Sequence, residues 1–141
     1  MATFNWFDSF FEALNEGVHD MGSDQLVIAL CASANAPTAA DEDLSDLTEI
    51  AYTNASSRSL TVVSSSQTSG VYRLVLQDLV LSASGGAIAT WRYAVIYNDT
   101  ATNDELVGWL DYGGDVDIGD GGDFTFDFDG TQGLYSMQEA A

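Results

Sequence analysis

The sequence predicts an all-β domain, an antiparallel β-sandwich or barrel-like body with one N-terminal amphipathic helix. Three observations carry that reading. The apolar period changes from about 3.6 residues to about 2 after residue 18. Beyond that point β-branched and aromatic residues dominate the chain. Tight-turn signals punctuate it: Ser-Gly at 69–70, Gly-Gly at 85–86 and 113–114, and Asp-Gly-Gly at 120–122. A length of 141 residues, 46% of them hydrophobic, suits one domain with a sizeable core. The expected division is an N-terminal helix or anchor segment over 1–22 and a single β domain over 23–141, with no internal repeat.

Taken in order, Phe7, Phe10, Phe11, Leu14 and Val18 recur at helical spacing, so 5–18 is expected to be a helix. Asn5 is its expected N-cap, and Gly17 or Gly22 its end. Phe4, Trp6, Phe7, Phe10 and Phe11 are more aromatic surface than one small helix usually hides, which leaves core packing or a docking element for another protein. Strands are expected near 25–32, 59–66, 71–83, 87–97, 105–111, 115–118, 123–129 and 132–137. The clearest hairpin runs from Asp115–Ile118 through Gly-Asp-Gly-Gly to Asp123–Asp129, with Phe124, Phe126 and Phe128 on one face and acids on the other. Residues 33–58 form one long crossing loop. Within it 33–43 is expected to be loosely ordered, and Leu44, Leu47 and Ile50 are spaced for a short helical turn over the sheet.

Charge narrows the function. Against 22 Asp and Glu stand only Arg58, Arg73 and Arg92, a formal net charge of −19. A polyanionic backbone needs several cations to replace its counterions, so nucleic acid is not an expected partner, and an anionic membrane surface is disfavoured likewise. No apolar run approaches the roughly 18 residues of a membrane span, and the start Met-Ala-Thr-Phe-Asn lacks a basic leader, so the product is expected to stay in the cytoplasm that makes it. Single-sign charge suits solubility at high copy number and high salt.

Chemistry finds little purchase. Cys31 is the one cysteine and sits in an apolar run, where a thiol behaves as a small hydrophobe. His19 is the one histidine, followed by Asp20, and no Gly-x-Ser-x-Gly elbow accompanies it, so a structural role is expected over a catalytic one. Asp111, Asp115, Asp117, Asp120 and Asp123 lie among glycines, but the spacing fails the EF-hand: counted from Asp115, position six is Asp120 and position twelve Phe126. A solvated acidic face is preferred to an ion at the 115–123 turn. No catalytic residue, metal ligand set or cofactor is expected.

Five segments, in order, resemble a family of small tailed-bacteriophage virion proteins that includes capsid decoration, or cement, proteins. They are Glu16-Gly-Val-His-Asp-Met-Gly-Ser-Asp-Gln-Leu-Val-Ile-Ala-Leu30, Asp46-Leu-Thr-Glu-Ile-Ala51, Ser82-Ala-Ser-Gly-Gly-Ala-Ile88, Tyr93-Ala-Val-Ile-Tyr-Asn-Asp-Thr100 and Leu106-Val-Gly-Trp-Leu-Asp-Tyr-Gly-Gly114. The resemblance runs from residue 4 to residue 135. It implies a non-enzymatic β domain on the virion surface, bound to the outside of the major capsid protein shell and standing there as a homotrimer. The expected partner-binding residues are Phe4, Trp6, Phe7, Phe10 and Phe11. Another virion position (tail, neck or head fibre) is one alternative. A Ca²⁺-dependent glycan-binding β-sandwich using Trp91 or Trp109 is another, and an enzyme is the weakest.

Overall fold

The computed structural model describes residues 2–140. It is all-β and sandwich-like, with one short helix. Strand β1 (Thr3–Trp6) leads into helix α1 (Ser9–Asn15), followed by β2 (Leu26–Cys31), a 3-10 turn (Leu44–Asp46), β3 (Val62–Thr68), β4 (Val71–Leu76) and β5 (Leu79–Ser82). Two long strands, β6 (Ile88–Asn98) and β7 (Leu106–Ile118), precede the short β8 (Asp123–Phe126) and β9 (Tyr135–Met137). The main sheet has the order β1-β7-β6-β2; β3-β4-β9 and β5-β8 form two smaller sheets, and every pairing is antiparallel.

Alternation along β2 shows how the layers stack. All six of its residues are buried, so both faces of the main sheet are covered. Leu26, Ile28 and Leu30 meet Leu74, Leu76, Leu81, Trp91 and Phe126 in the larger core between the sheets. Val27, Ala29 and Cys31 face the other way, joining Phe7, Tyr93, Val95 and Tyr97 in a second core roofed by Leu44, Leu47 and Trp109. The long crossing segment is therefore a lid on the main sheet. Its 3-10 turn carries a capping box, with Asp43 accepting from the Ser45 N–H and Asp46 reaching back to the Asp43 N–H. Residues 33–43, expected to be loosely ordered, close two turns, from Asn35 N–H to the Ala32 carbonyl and from Asp41 N–H to the Thr38 carbonyl. Burial in the second core, with Glu49 and Asp41 adding negative charge nearby, pushes the Cys31 thiol up to about 11, so it stays protonated and inert.

Four sequence expectations change. The helix expected over 5–18 is a strand and a shorter helix, because Thr3–Trp6 pairs with Gly108–Asp111 of β7. Asn5 is a strand residue opposite Trp109, and Asp8 stands before the helix without a side-chain cap. The strand expected over 71–83 breaks at Gln77-Asp78, where the Asp78 carboxylate leaves the ladder to accept the Phe128 N–H at 2.8 Å. The two strands expected at 105–111 and 115–118 are one, β7, with Gly113 at φ 78 absorbing the irregularity and its N–H bonded to the Asp111 carboxylate at 2.8 Å.

The fourth is the hairpin. β8 pairs with β5, not β7. The Gly119–Gly122 turn docks its backbone on Ala83, the Ala83 N–H reaching the Gly122 carbonyl at 3.0 Å and the Gly121 N–H the Ala83 carbonyl at 2.9 Å. That contact leads the chain off β7 and along β5. The predicted alternation survives the change of partner: Phe126 and Phe128 are buried and Phe124 packs against them, while Asp123, Asp127 and Asp129 face outward. The β3–β4 hairpin forms as the turn chemistry dictates, with Ser69 and Gly70 both at positive φ, 51 and 80.

Candidate functional site

The five N-terminal aromatics are built onto the free edge of the main sheet. Among the described residues β1 pairs with β7 alone, and no strand lies beside its outer edge. It lies close because Gly108 opposite has no side chain: the Phe4 ring sits where a Cβ would be, 2.5 Å from that position at Cζ. Phe4 and Trp6 share one face of the strand, with ring centroids 5.0 Å apart, and point toward the larger core. Phe7 points to the opposite face and packs on Trp109 at 4.7 Å. Helix α1 then brings Phe10 back under Trp6.

Trp6 is the hub. Its ring stacks on Phe10 at 5.0 Å, leans on Phe11 at 5.1 Å and meets the edge of Tyr135 at 4.8 Å. The expected docking set accordingly divides. Phe7 and Phe10 are 0% exposed and offer nothing to a partner; they are corrected from surface anchors to core, because strand alternation and the return of α1 turn them inward. Phe4 and Trp6 are half-buried, and Phe11 is 45% exposed. What reaches solvent is a ridge of Phe11 and Trp6, held on three sides by other rings. A groove of about 570 Å³ runs beside it, walled by apolar Trp6, Phe11, Val71 and Met137 and by polar Arg73, Ser136 and Gln138.

His19 is placed structurally. The Asn98 amide is oriented by the N–H groups of Thr100 and Ala101, which donate to its Oδ1 at 3.0 and 3.1 Å. Its Nδ2 therefore donates, to Asp24 at 2.6 Å and to His19 Nδ1 at 3.0 Å. That fixes the imidazole as the neutral Nε2–H form, stacked on Phe10 at 5.2 Å. Asp24 is tied to Asn98 and not to the ring, and among the described residues no nucleophile bonds to His19, so the geometry of a Ser-His-Asp triad is not assembled around it. Burial holds His19 below its ordinary value of 6.5, against the opposing pull of Glu105 and Asp24. An unfolded chain takes up that proton at the ordinary value, so this contribution to stability is whole above pH 6.5 and is lost as pH falls toward the lower folded value. Urea midpoints at about pH 7.5 and about pH 5.5 should therefore fall further for the native chain than for His19→Gln. Parallel behaviour of the two would contradict this.

The acidic stretch after residue 110 is tied to separate side-chain and backbone donors rather than gathered. Asp111 grips Arg92 through two bonds of 2.9 and 3.2 Å, which hold its carboxyl below the usual range, and Asp117 accepts from the Thr90 hydroxyl. Asp120 accepts from Gly85 N–H, and Asp129 from Thr131 and Gln132 N–H. Among the described residues, no three His, Cys, Asp or Glu side chains converge as a metal site. Trp91, expected in a groove under the glycan-binding alternative, is fully buried among Tyr112, Phe124 and Phe126, and Trp109 lies half-buried on Phe7. No helix among the described residues is long and apolar enough to cross a membrane.

No family model matches the chain, and no curated protein and no solved structure matches it either.

Proposed function

We propose that this chain is a non-enzymatic virion structural protein of the tailed-phage capsid decoration type. In this reading it binds the outer face of the major capsid protein shell and stabilises it, and it stands there as a homotrimer. The observation that carries the reading is the Trp6–Phe11 ridge. Phe11 is 45% exposed and rests on the Trp6 and Phe10 rings, and Trp6 is held in turn by Phe4, Phe10 and Tyr135, so the ridge is a preordered anchor that loses little entropy on docking. The resemblance of five segments to virion proteins supplies the kind of partner, and a body at −19 stays soluble while present in many copies.

The test is re-addition of the purified chain to shells stripped of it. Phe11→Ser should reduce apparent affinity by at least about tenfold while leaving the fold intact, since Phe11 is the exposed member of the ridge. Full occupancy by Phe11→Ser would overturn the assignment of the surface. A tail, neck or fibre position would use the same ridge and would show as binding to isolated tails in place of shells.

A further inference from the structure

We infer that the groove beside the ridge receives an extended protein segment carrying an acidic side chain between apolar ones, and that Arg73 takes its carboxylate. The inference rests on reading the ridge as a docking surface, and it names the chemistry of the segment that docks.

The argument starts from the scarcity of cations. Of three arginines, Arg58 bonds the Ile28 carbonyl, lies 4.0 Å from Glu49 and covers the Tyr52 ring at 3.5 Å. Arg92 holds Asp111. Arg73 has no carboxylate within salt-bridge distance among the described residues, although the chain carries 22 acids. Its Nε is buried and has no acceptor. Burial of Nε costs the guanidinium part of its hydration, and its terminal nitrogens, which are not buried and bond no acceptor among the described residues, are the atoms that can donate a charge-assisted bond to a carboxylate in the groove.

Its surroundings select the rest of the ligand. Arg73 stands opposite Ser136 on β9, and the groove wall around it mixes apolar Trp6, Phe11, Val71 and Met137 with polar Ser136 and Gln138. β9 is a strand of three residues that, among the described residues, is paired on one side only, with β4. A segment in extended conformation can run along that unpaired edge, placing alternate side chains on the aromatic wall and on Arg73. A polyanion does not fit the same site, because one cation on a body at −19 offers no second contact and strong repulsion. A single carboxylate flanked by apolar groups does.

The experiment titrates the full chain with two blocked peptides, acetyl-Val-Asp-Val-amide and acetyl-Val-Asn-Val-amide, followed by NMR. The Asp peptide should shift the Arg73 Nε–H, the Ser136 amide and the Trp6 indole N–H in a saturable way and bind about tenfold tighter than the Asn peptide. Arg73→Gln should abolish the difference, and Arg73→Lys, which keeps the charge but not the planar fork, should keep part of it. Equal binding of the two peptides, shifts centred elsewhere, or no binding up to about 10 mM would overturn the inference. So would a folded Arg73→Gln that still discriminates. Should Arg73→Gln not fold, the peptide pair on the native chain and Arg73→Lys decide. Shell re-addition separates the two readings. Peptide discrimination without shell binding leaves the groove standing and removes the decoration role, whereas normal decoration by Arg73→Gln does the reverse.

Discussion

Phe10→Ala should cost about 3–5 kcal/mol of stability, and Phe11→Ala, one residue along, should cost less than about 1. Phe10 is 0% exposed and lies where three elements meet, stacked on Trp6 from β1, facing Tyr135 of β9 at 5.9 Å and stacked on His19. Removing its ring leaves a cavity whose walls belong to strands already fixed by their ladders, so collapse is limited and the transfer and cavity terms add. Phe11 has nearly half its surface in water, and its loss removes a tilted contact with Trp6 and an edge contact with Phe10 while opening no enclosed cavity. Denaturant midpoints of the two variants, measured side by side, check the division of the aromatic set into core and ridge. Similar midpoints would mean that the ridge is not seated on the core. Shell binding adds a second contrast, with the stable variant being the one that fails to dock.

Gly108→Ala should destabilise by about 3 kcal/mol and loosen the N-terminal strand selectively. The new Cβ would lie 2.6 Å from the Asn5 carbonyl oxygen as well as against the Phe4 ring. A ring can rotate away, but the carbonyl belongs to the ladder that holds β1 to β7. Gly108 stands opposite Trp6 on one side and Ile96 on the other, so the strand cannot shift toward β6 without breaking the centre of the main sheet. The relief is to push β1 outward. Hydrogen exchange should show the amides of Thr3–Trp6 losing protection while those of β2 and β6 keep theirs, and docking should fall with them because Trp6 moves. Uniform loss of protection, or none, would contradict the role of Gly108 in making β1 a strand.

That same glycine explains what was hidden in the sequence. Phe4 and Trp6 alternate with a period of two, and Phe7, Phe10, Phe11 and Leu14 come next at helical spacing, so two periods overlap within a few residues. Locally the helix accounts for more of them. The strand is decided by a vacancy at Gly108, about a hundred residues away, which no window on the N-terminus contains. The hairpin after residue 115 failed for a related reason. Gly-Asp-Gly-Gly encodes a reversal correctly, but which strand the chain joins afterwards is set by the backbone of Ala83. Where partners are close in sequence the pattern is enough, as with β3 and β4 across Ser69-Gly70, and the continuous apolar run of β2, buried on both faces, is equally plain.

The candidate site was legible as composition and not as geometry. An excess of aromatic residues before residue 12 marks a surface or a core, and the sequence cannot apportion them, because the split arises from the strand-to-helix join at Phe7 and Asp8. Arg73 carried no local signal at all. Its distinction is that Arg58 and Arg92 find acceptors while it does not, a property of tertiary packing alone.

The decoration role stands or falls on the ratio of this chain to the major capsid protein in purified particles. Quantitative mass spectrometry should give a copy number comparable with that of the shell subunit, and treatment that strips the chain should leave shells that rupture more readily. A handful of copies per particle, or none, would contradict a decoration role and move the chain to the tail or out of the virion.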